Sequence, residues 1–163
     1  MGQPGQTAPP AARPAGGPSL VFRAGSLLCA LRLDEVVETM RPLATHPLAG
    51  TPAYVSGICI MRGLPTLVVD VARLLGGGAA EVVRFIAVRT GRGPVAFATG
   101  PIAGVQPVHA DPATRHEALL GDAPARLIAA VGTIDTEPVL LLRSMQLVPD
   151  DVWAAAAALA EAS

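Results

Sequence analysis

The chain has 163 residues, of which 51% are apolar and 3% aromatic, and its formal net charge at pH 7 is −1. This length predicts one ordinary domain or two very small ones. The twelve basic residues, all arginine, form no basic run of the kind that nucleic-acid-binding proteins carry, and no apolar stretch reaches the roughly 18 residues that span a bilayer. No secretory signal peptide is evident, so we expect a cytoplasmic protein.

The first part of the chain, residues 1–18, is rich in Pro, Gly and Ala. Such a segment cannot bury enough apolar surface to offset the entropy lost on ordering it. We therefore expect a disordered tail over residues 1–18. A main domain would follow over residues 19–148, and a helix over residues 149–163 completes the predicted organisation.

After this tail, short apolar runs alternate with turn signals. Two runs on either side of Ala24-Gly25 predict a strand pair, and the segment that ends at Pro42 favours a further strand. Arg62-Gly63, residues 89–93 and Asp135-Thr136 each join two apolar runs, which predicts three hairpins.

The remaining segments complete an all-β pattern. One more strand is expected from Ile102, a polar loop over residues 109–124, and an alanine-rich helix that opens on Asp150 and Asp151. Nine or ten short strands with little helix before the end indicate an all-β barrel or sandwich.

The two cysteines predict packing and not catalysis. Cys29 and Cys59 each lie inside an apolar run, where burial raises the pKa of a thiol. Two such residues make no disulfide framework, which fits a reduced compartment.

Two weaker patterns are better explained without a cofactor or metal. Residues 91–96 formally match a dinucleotide-binding fingerprint, but Pro94 and the alternating run after it predict a hairpin instead of the required helix. The loop with His109, Asp111, His116 and Glu117 has the side chains of a metal site but no known ligand spacing, and a solvated loop explains it. We therefore expect no metal, no cofactor and no catalytic residues.

The most specific pattern is Gly57, then Arg62-Gly63, then Asp70, followed by an apolar helical turn that ends at Gly76. Each member has a plain structural explanation. Gly63 suits a turn that needs positive φ, and Asp70 can cap the short helix.

In its spacing, this pattern resembles the core of the CheW-like domain of bacterial chemotaxis coupling proteins. Residues 57–76 follow the family's Gly, apolar, Arg-Gly, apolar, Asp order. Residues 30–42 are similar to the family's early strand and Val-x-Glu segment, and residues 82–99 and 126–142 are similar to its central and last hairpins. The likeness covers roughly residues 20–147.

The resemblance implies two small five-stranded SH3-like β-barrels packed side by side over a shared hydrophobic seam, with a C-terminal helix. It implies a non-enzymatic adaptor that joins the regulatory domain of a CheA-type histidine kinase to the cytoplasmic tip of chemoreceptors. Such a protein binds no nucleic acid, inserts in no membrane, and lies in the cytoplasm at receptor arrays.

Site residues follow by position in the family pattern. Asp70 is implied as structural support for the hairpin. The residues implied in partner contact or its immediate support are Val36, Glu38, Gly57, Arg62, Gly63, Ile102 and Val105.

Four positions depart from the family pattern: Ile60 in place of Asn, Leu67 in place of Pro, and Gly100 and Arg143 each in place of Asp. The intact apolar pattern predicts that the fold is kept. Two alternatives therefore stand beside the adaptor: a divergent CheW-like protein with changed partners, and a small β-barrel that binds another ligand or nucleic acid.

Overall fold

The computed structural model describes residues 17–112, 127–143, 148 and 150–162. Most of these residues form strands. The strands are β1 Pro18–Ala24, β2 Leu27–Arg32, β3 Val36–Met40, β4 Val55–Met61, β5 Leu64–Asp70, β6 Arg84–Thr90, β7 Gly93–Thr99, β8 Ile102–Pro107, β9 Ala110–Pro112, β10 Ile128–Ile134 and β11 Glu137–Leu142. The helices are a 3-10 turn Leu33–Glu35, α1 Val71–Leu74 and α2 Asp150–Ala162.

The predicted boundaries agree with these elements in part. Pro18, assigned to the tail, begins β1, while residues 1–16 lie outside the described residues. The predicted loop over residues 109–124 contains β9, and its part from residue 113 onward, with His116 and Glu117, also lies outside them.

The strands form two sheets. Sheet A has the order β8-β1-β2-β11-β10-β9, and sheet B has the order β3-β6-β7-β5-β4. Sheet B uses one continuous part of the chain, whereas sheet A combines strands from both ends. In sheet A, β2 pairs with β11 in parallel, and in sheet B, β5 pairs with β7 in parallel.

This architecture confirms the predicted all-β class with two small β units and a C-terminal helix. Sheet B has the expected five strands, and sheet A has one more because the short β9 joins its edge. Within the described part of the chain, the hydrogen-bonded order of neither sheet closes into a ring.

Two of the three predicted hairpins turn through two residues with positive φ. Arg62 and Gly63 have φ of 52° and 79°, and Asp135 and Thr136 have φ of 48° and 70°. Two consecutive residues of this kind characterise the type I′ turn, whose twist matches that of the flanking strands. The third hairpin joins β6 to β7 across Gly91 and Arg92.

The buried apolar residues in the described ranges form three clusters, because successive side chains of a strand point to opposite faces. One cluster lies on one face of sheet A and includes Val21, Ala30 and Val139. A second lies on one face of sheet B and includes Val68 and Phe85.

The third and largest cluster, the seam, contains side chains from both sheets. Phe22 and Leu31 of sheet A lie in it together with Val69 and Phe97 of sheet B. Each sheet therefore has two buried faces, one inside its own curl and one against the other sheet. This is the shared hydrophobic seam that the family resemblance implies.

Helix α2 packs on this seam through Val152, Trp153 and Ala156. None of the helices in the described ranges is long and apolar enough to cross a membrane.

Candidate functional site

The tip of the β4–β5 hairpin carries an ion pair with two parallel hydrogen bonds. Arg62 Nε donates to Glu38 Oε2 at 2.5 Å, and Arg62 Nη2 donates to Glu38 Oε1 at 2.7 Å. The fork geometry of a guanidinium matches a carboxylate in this way, whereas a lysine ammonium cannot form it. The sequence pattern selected both residues, and the structure brings them together.

This pair joins the two edges of sheet B. Glu38 lies on β3 and Arg62 follows β4, and these strands are at opposite ends of the hydrogen-bonded order. Their side chains meet only because the sheet curls. The Arg62–Glu38 pair therefore links the edge strands where the backbone ladder does not.

The two charges change each other's proton affinity. The hydrogen bond from Arg62 lowers the pKa of Glu38, and the hydrogen bond to Glu38 raises the pKa of Arg62. The Arg62 side chain is 74% exposed and that of Glu38 27%. The carboxylate is thus the inner member of the pair, and the guanidinium faces solvent.

Gly57 lies beneath a loop and is buried. The backbone N–H groups of His46 and Ile58 each donate to the other residue's carbonyl at 2.8 Å, so the loop crosses β4 at this point. A Cβ on Gly57 would lie 2.0 Å from the carbonyl oxygen of His46, and Gly57 has a φ of 141°. The structure therefore places Gly57 in support of the hairpin and away from the surface.

Asp70 organises the other end of the same hairpin. It is 8% exposed, and its Oδ1 accepts a hydrogen bond at 3.3 Å from the backbone N–H of Arg73, which caps α1. Its Oδ2 lies 3.6 Å from Arg73 Nε. The turn that follows α1 contains Gly76, whose φ is 90°. The backbone N–H of Gly77 donates to the carbonyl of Ala72 and closes this turn. These contacts fix where the chain leaves β5.

The other candidate residues lie apart from the ion pair. Val36 begins β3 and packs partly against the seam. Ile102 and Val105 lie on β8, the edge strand of sheet A. Ile102 packs against the seam, whereas Val105 is exposed.

The sequence analysis did not identify the apolar surface around Arg62. Ile60 and Leu64 are 57% and 58% exposed, and Val37, next to Glu38, is also exposed. Side chains alternate along a strand, which places those of Ile60 and Val37 on the face opposite to the cluster inside the curl of sheet B. Leu64 lies next to the turn and is also uncovered. For Ile60 and Val37, the alternation of side chains along a strand is the sequence signal that could have predicted their exposure.

A second ion pair lies on sheet A. Arg23 of β1 donates through both terminal nitrogens to the carboxylate of Glu137, with Nη2 2.8 Å from Oε1. This hydrogen bond lowers the pKa of Glu137. The two residues are 114 positions apart, so no local sequence signal connects them.

The described residues contain no cluster of three or more His, Cys, Asp or Glu side chains that could hold a metal ion. Both cysteines are buried and free, and burial raises the pKa of Cys29 to about 12 and also raises that of Cys59. Thiols in this state are poor nucleophiles. The groups that the site exposes to solvent are the guanidinium of Arg62 and the apolar side chains of Ile60, Leu64 and Val37.

Comparison with known proteins agrees with this architecture. The scaffolding protein TtCheW from Thermoanaerobacter tengcongensis has a similar fold, with a TM-score of 0.71 at 17% identity over 81% of this chain and 92% of that chain. No curated protein matches the sequence. The family model of the CheW-like domain matches residues 18–152. Because that match spans most of the chain, the protein belongs to the family of CheW-like domains.

Proposed function

We propose that this protein is a non-enzymatic adaptor that couples chemoreceptors to a CheA-type histidine kinase in a cytoplasmic signalling array. The observation that carries the proposal is the Arg62–Glu38 pair at the edge of sheet B, in a chain that belongs to the CheW-like family. The similar structure is named a scaffolding protein, which supports the same role here.

Arg62 has donors available for a partner. A guanidinium carries five N–H groups, and the two hydrogen bonds to Glu38 use two of them. In the described part of the chain, no further hydrogen bond of Arg62 is found. Glu38 thus fixes the guanidinium plane and leaves an outer edge that can donate to a carbonyl or carboxylate oxygen of the kinase domain. Fixing the plane before binding reduces the entropy lost on binding.

The apolar side chains beside Arg62 supply contact area. Ile60 and Leu64 flank the turn on opposite faces of the hairpin, because Ile60 pairs with Pro65 and Leu64 with Met61, and Val37 lies on the strand that the ion pair reaches. An arginine with exposed apolar neighbours has the composition of an interface centre, where arginine is over-represented. We propose that this surface of sheet B takes the kinase, by contact with its related β-barrel domain.

We propose that the receptor binds at sheet A. Val105 is exposed on the edge strand β8, and Ile102 of the same strand packs at the seam between the sheets. An apolar helical tip that lies along this junction would make a helix-in-groove contact. The proposal thus uses two separate surfaces for two partners.

The experiment is a pull-down from lysate of the native cell, read by mass spectrometry, with wild type beside Arg62→Ala. Arg84→Ala is the matched control, because Arg84 is exposed on the same sheet and, among the described residues, its side chain bonds only to the adjacent Val83 carbonyl. We expect a CheA-type kinase in the wild-type and Arg84→Ala samples, and about tenfold less with Arg62→Ala. Far-UV circular dichroism checks that each variant is folded.

A changed partner is the second candidate, and Ile60 favours it. An exposed isoleucine stands where the family pattern has Asn, so a partner with an apolar complement is preferred over one with a hydrogen-bonding complement. The pull-down distinguishes the two. Recovery of a protein that is neither kinase nor receptor, lost with both Arg62→Ala and Ile60→Asn, would replace the coupling proposal.

A further inference from the structure

Helix α2 lies over an apolar groove that it fills incompletely. The outer face of the β4–β5 hairpin contributes Ile58, Pro65 and Leu67 to this groove, and α2 contributes Trp153 and two alanines. A cleft of about 210 Å³ remains between them. The cleft opens to solvent, because Pro65, Arg92 and Ala157 in its lining are exposed, so α2 leaves part of the apolar surface below it uncovered.

The cause of this incomplete cover is the composition of α2. Among its described side chains, Val152 and Trp153 are the large apolar ones that pack on the seam. Ala156 and Ala157 line the cleft, and a methyl group covers little of the apolar surface below it. A leucine at either position would extend into the space that the alanines leave.

The polar contact of α2 is weak as well. Arg92, at the rim of the cleft, pairs with Asp150 in the first turn of α2, and their side chains are 52% and 93% exposed. Ion pairs this exposed contribute about 0 to 1 kcal/mol. The groove is thus apolar with a cation at its rim, and α2 covers it with one fully buried large side chain, Val152, together with the partly buried Trp153 and two alanines.

We infer that α2 is a displaceable occupant of a helix-binding groove, and that an amphipathic helix with larger apolar side chains takes its place. The position of α2 gives the pattern of the incoming helix. An acid at position i replaces Asp150 beside Arg92, and apolar residues at i+2, i+3, i+6 and i+7 replace Val152, Trp153, Ala156 and Ala157, the last two with larger side chains. These positions share one side of a helix. The inference does not require the proposed coupling role.

Displacement leaves both sheets intact. Among the described side chains, none of α2 belongs to the clusters on the curled faces of sheets A and B, and Val152, Trp153 and Ala156 are those that α2 contributes to the seam. The apparent affinity of an incoming helix is its intrinsic affinity multiplied by the fraction of molecules whose groove is free. The free energy that seats α2, which includes the burial of Val152, therefore sets the threshold for binding.

The test uses the full chain and a synthetic peptide of residues 148–163 that carries Trp153→Phe, Ala156→Leu and Ala157→Leu. Trp153 is the only tryptophan in the chain, and the peptide carries phenylalanine at this position. The tryptophan fluorescence of the mixture therefore comes from α2 of the protein alone. We expect saturable binding with a red shift of Trp153 emission, because α2 leaves the groove. A control peptide carries leucine at 154 and 158 and keeps alanine at 156 and 157. Its composition is the same, but its two leucines point away from the cleft, and we expect at least tenfold weaker binding.

Two variants of the protein sharpen the test. Ala157→Leu fills the cleft, so we expect a higher melting temperature and about tenfold weaker peptide binding. Ala154→Leu lies at an exposed position outside the cleft and should bind the peptide as wild type does. The inference is overturned if the two peptides bind equally, if binding leaves Trp153 emission unchanged, or if Ala157→Leu binds as tightly as wild type. No kinase or receptor is present, so these outcomes are separate from those of the pull-down.

Discussion

At Arg62, backbone and side chain meet two separate requirements. The turn needs positive φ, and Arg62 adopts 52°, a region that costs a residue with a Cβ about 1 kcal/mol or more. The side chain meanwhile reaches Glu38 on the opposite edge strand. A glycine or asparagine would suit the turn better, but neither carries the guanidinium that forms the two hydrogen bonds to Glu38.

The lowered pKa values of Glu38 and Glu137 predict how acid affects stability. A carboxyl whose pKa is lower in the folded protein stabilises it above the ordinary glutamate pKa, about 4.3, and the contribution is lost as pH falls through the folded value. We therefore expect the double variant Glu38→Gln, Glu137→Gln to be less stable than wild type near neutral pH, and the difference to shrink as the pH falls through the lowered pKa values of the two carboxyls.

Urea midpoints of the two proteins across this pH range measure the effect. Both pairs are partly exposed, so the difference at neutral pH will be modest and will shrink with added salt. A stability difference that is constant or grows toward acid pH would contradict the assignment of these two carboxylates.

At the scale of the element, the β4–β5 hairpin contains two glycines with different tasks. Gly57→Ala places a Cβ 2.0 Å from the carbonyl oxygen of His46, so the crossing loop must move, and we expect a loss of about 3 kcal/mol or more. Gly63→Ala meets no atom within 4 Å and costs only the strain of its φ of 79°, about 1 kcal/mol. Urea denaturation of both variants checks this, and equal losses would rule out the close approach at Gly57.

Helix α1 has a single turn, so its cap matters. We expect Asp70→Ala to cost about 1 kcal/mol, because the N–H of Arg73 loses its acceptor in a poorly solvated place. Asp70→Asn keeps a side-chain oxygen at the cap and should cost less. Thermal unfolding of the two variants measures this, and an asparagine variant as unstable as the alanine variant would assign the effect to the charge facing Arg73 instead.

At the scale of the whole molecule, the seam makes the two sheets one folding unit. Phe97 is fully buried there together with Phe22 from the other sheet. We expect Phe97→Ala to cost about 3 to 5 kcal/mol and to destabilise both sheets equally. Hydrogen exchange of β1 and β7 amides is the measurement, and Val68→Ala, inside sheet B alone, is the comparison. Faster exchange confined to β7 would show that the sheets unfold separately.

The sequence by itself determined the all-β class, the hairpins at Arg62-Gly63 and Asp135-Thr136, and the cap at Asp70. These features depend on neighbours in the chain: alternation of apolar residues, turn chemistry and helix capping. The spacing of Gly57, Arg62, Gly63 and Asp70 also led to the family, which the match over residues 18–152 shows.

Only the tertiary structure decided which strands share a sheet and which side chains meet. Sheet A combines both ends of the chain, and Arg23 meets Glu137 across 114 positions, relations that no local pattern encodes. The exposure of Leu64 and the burial of Gly57 under His46 also depend on how the sheet curls and where a loop crosses it. Contacts between distant segments follow from the packing of whole faces, and a linear pattern records which face is apolar but not what covers it.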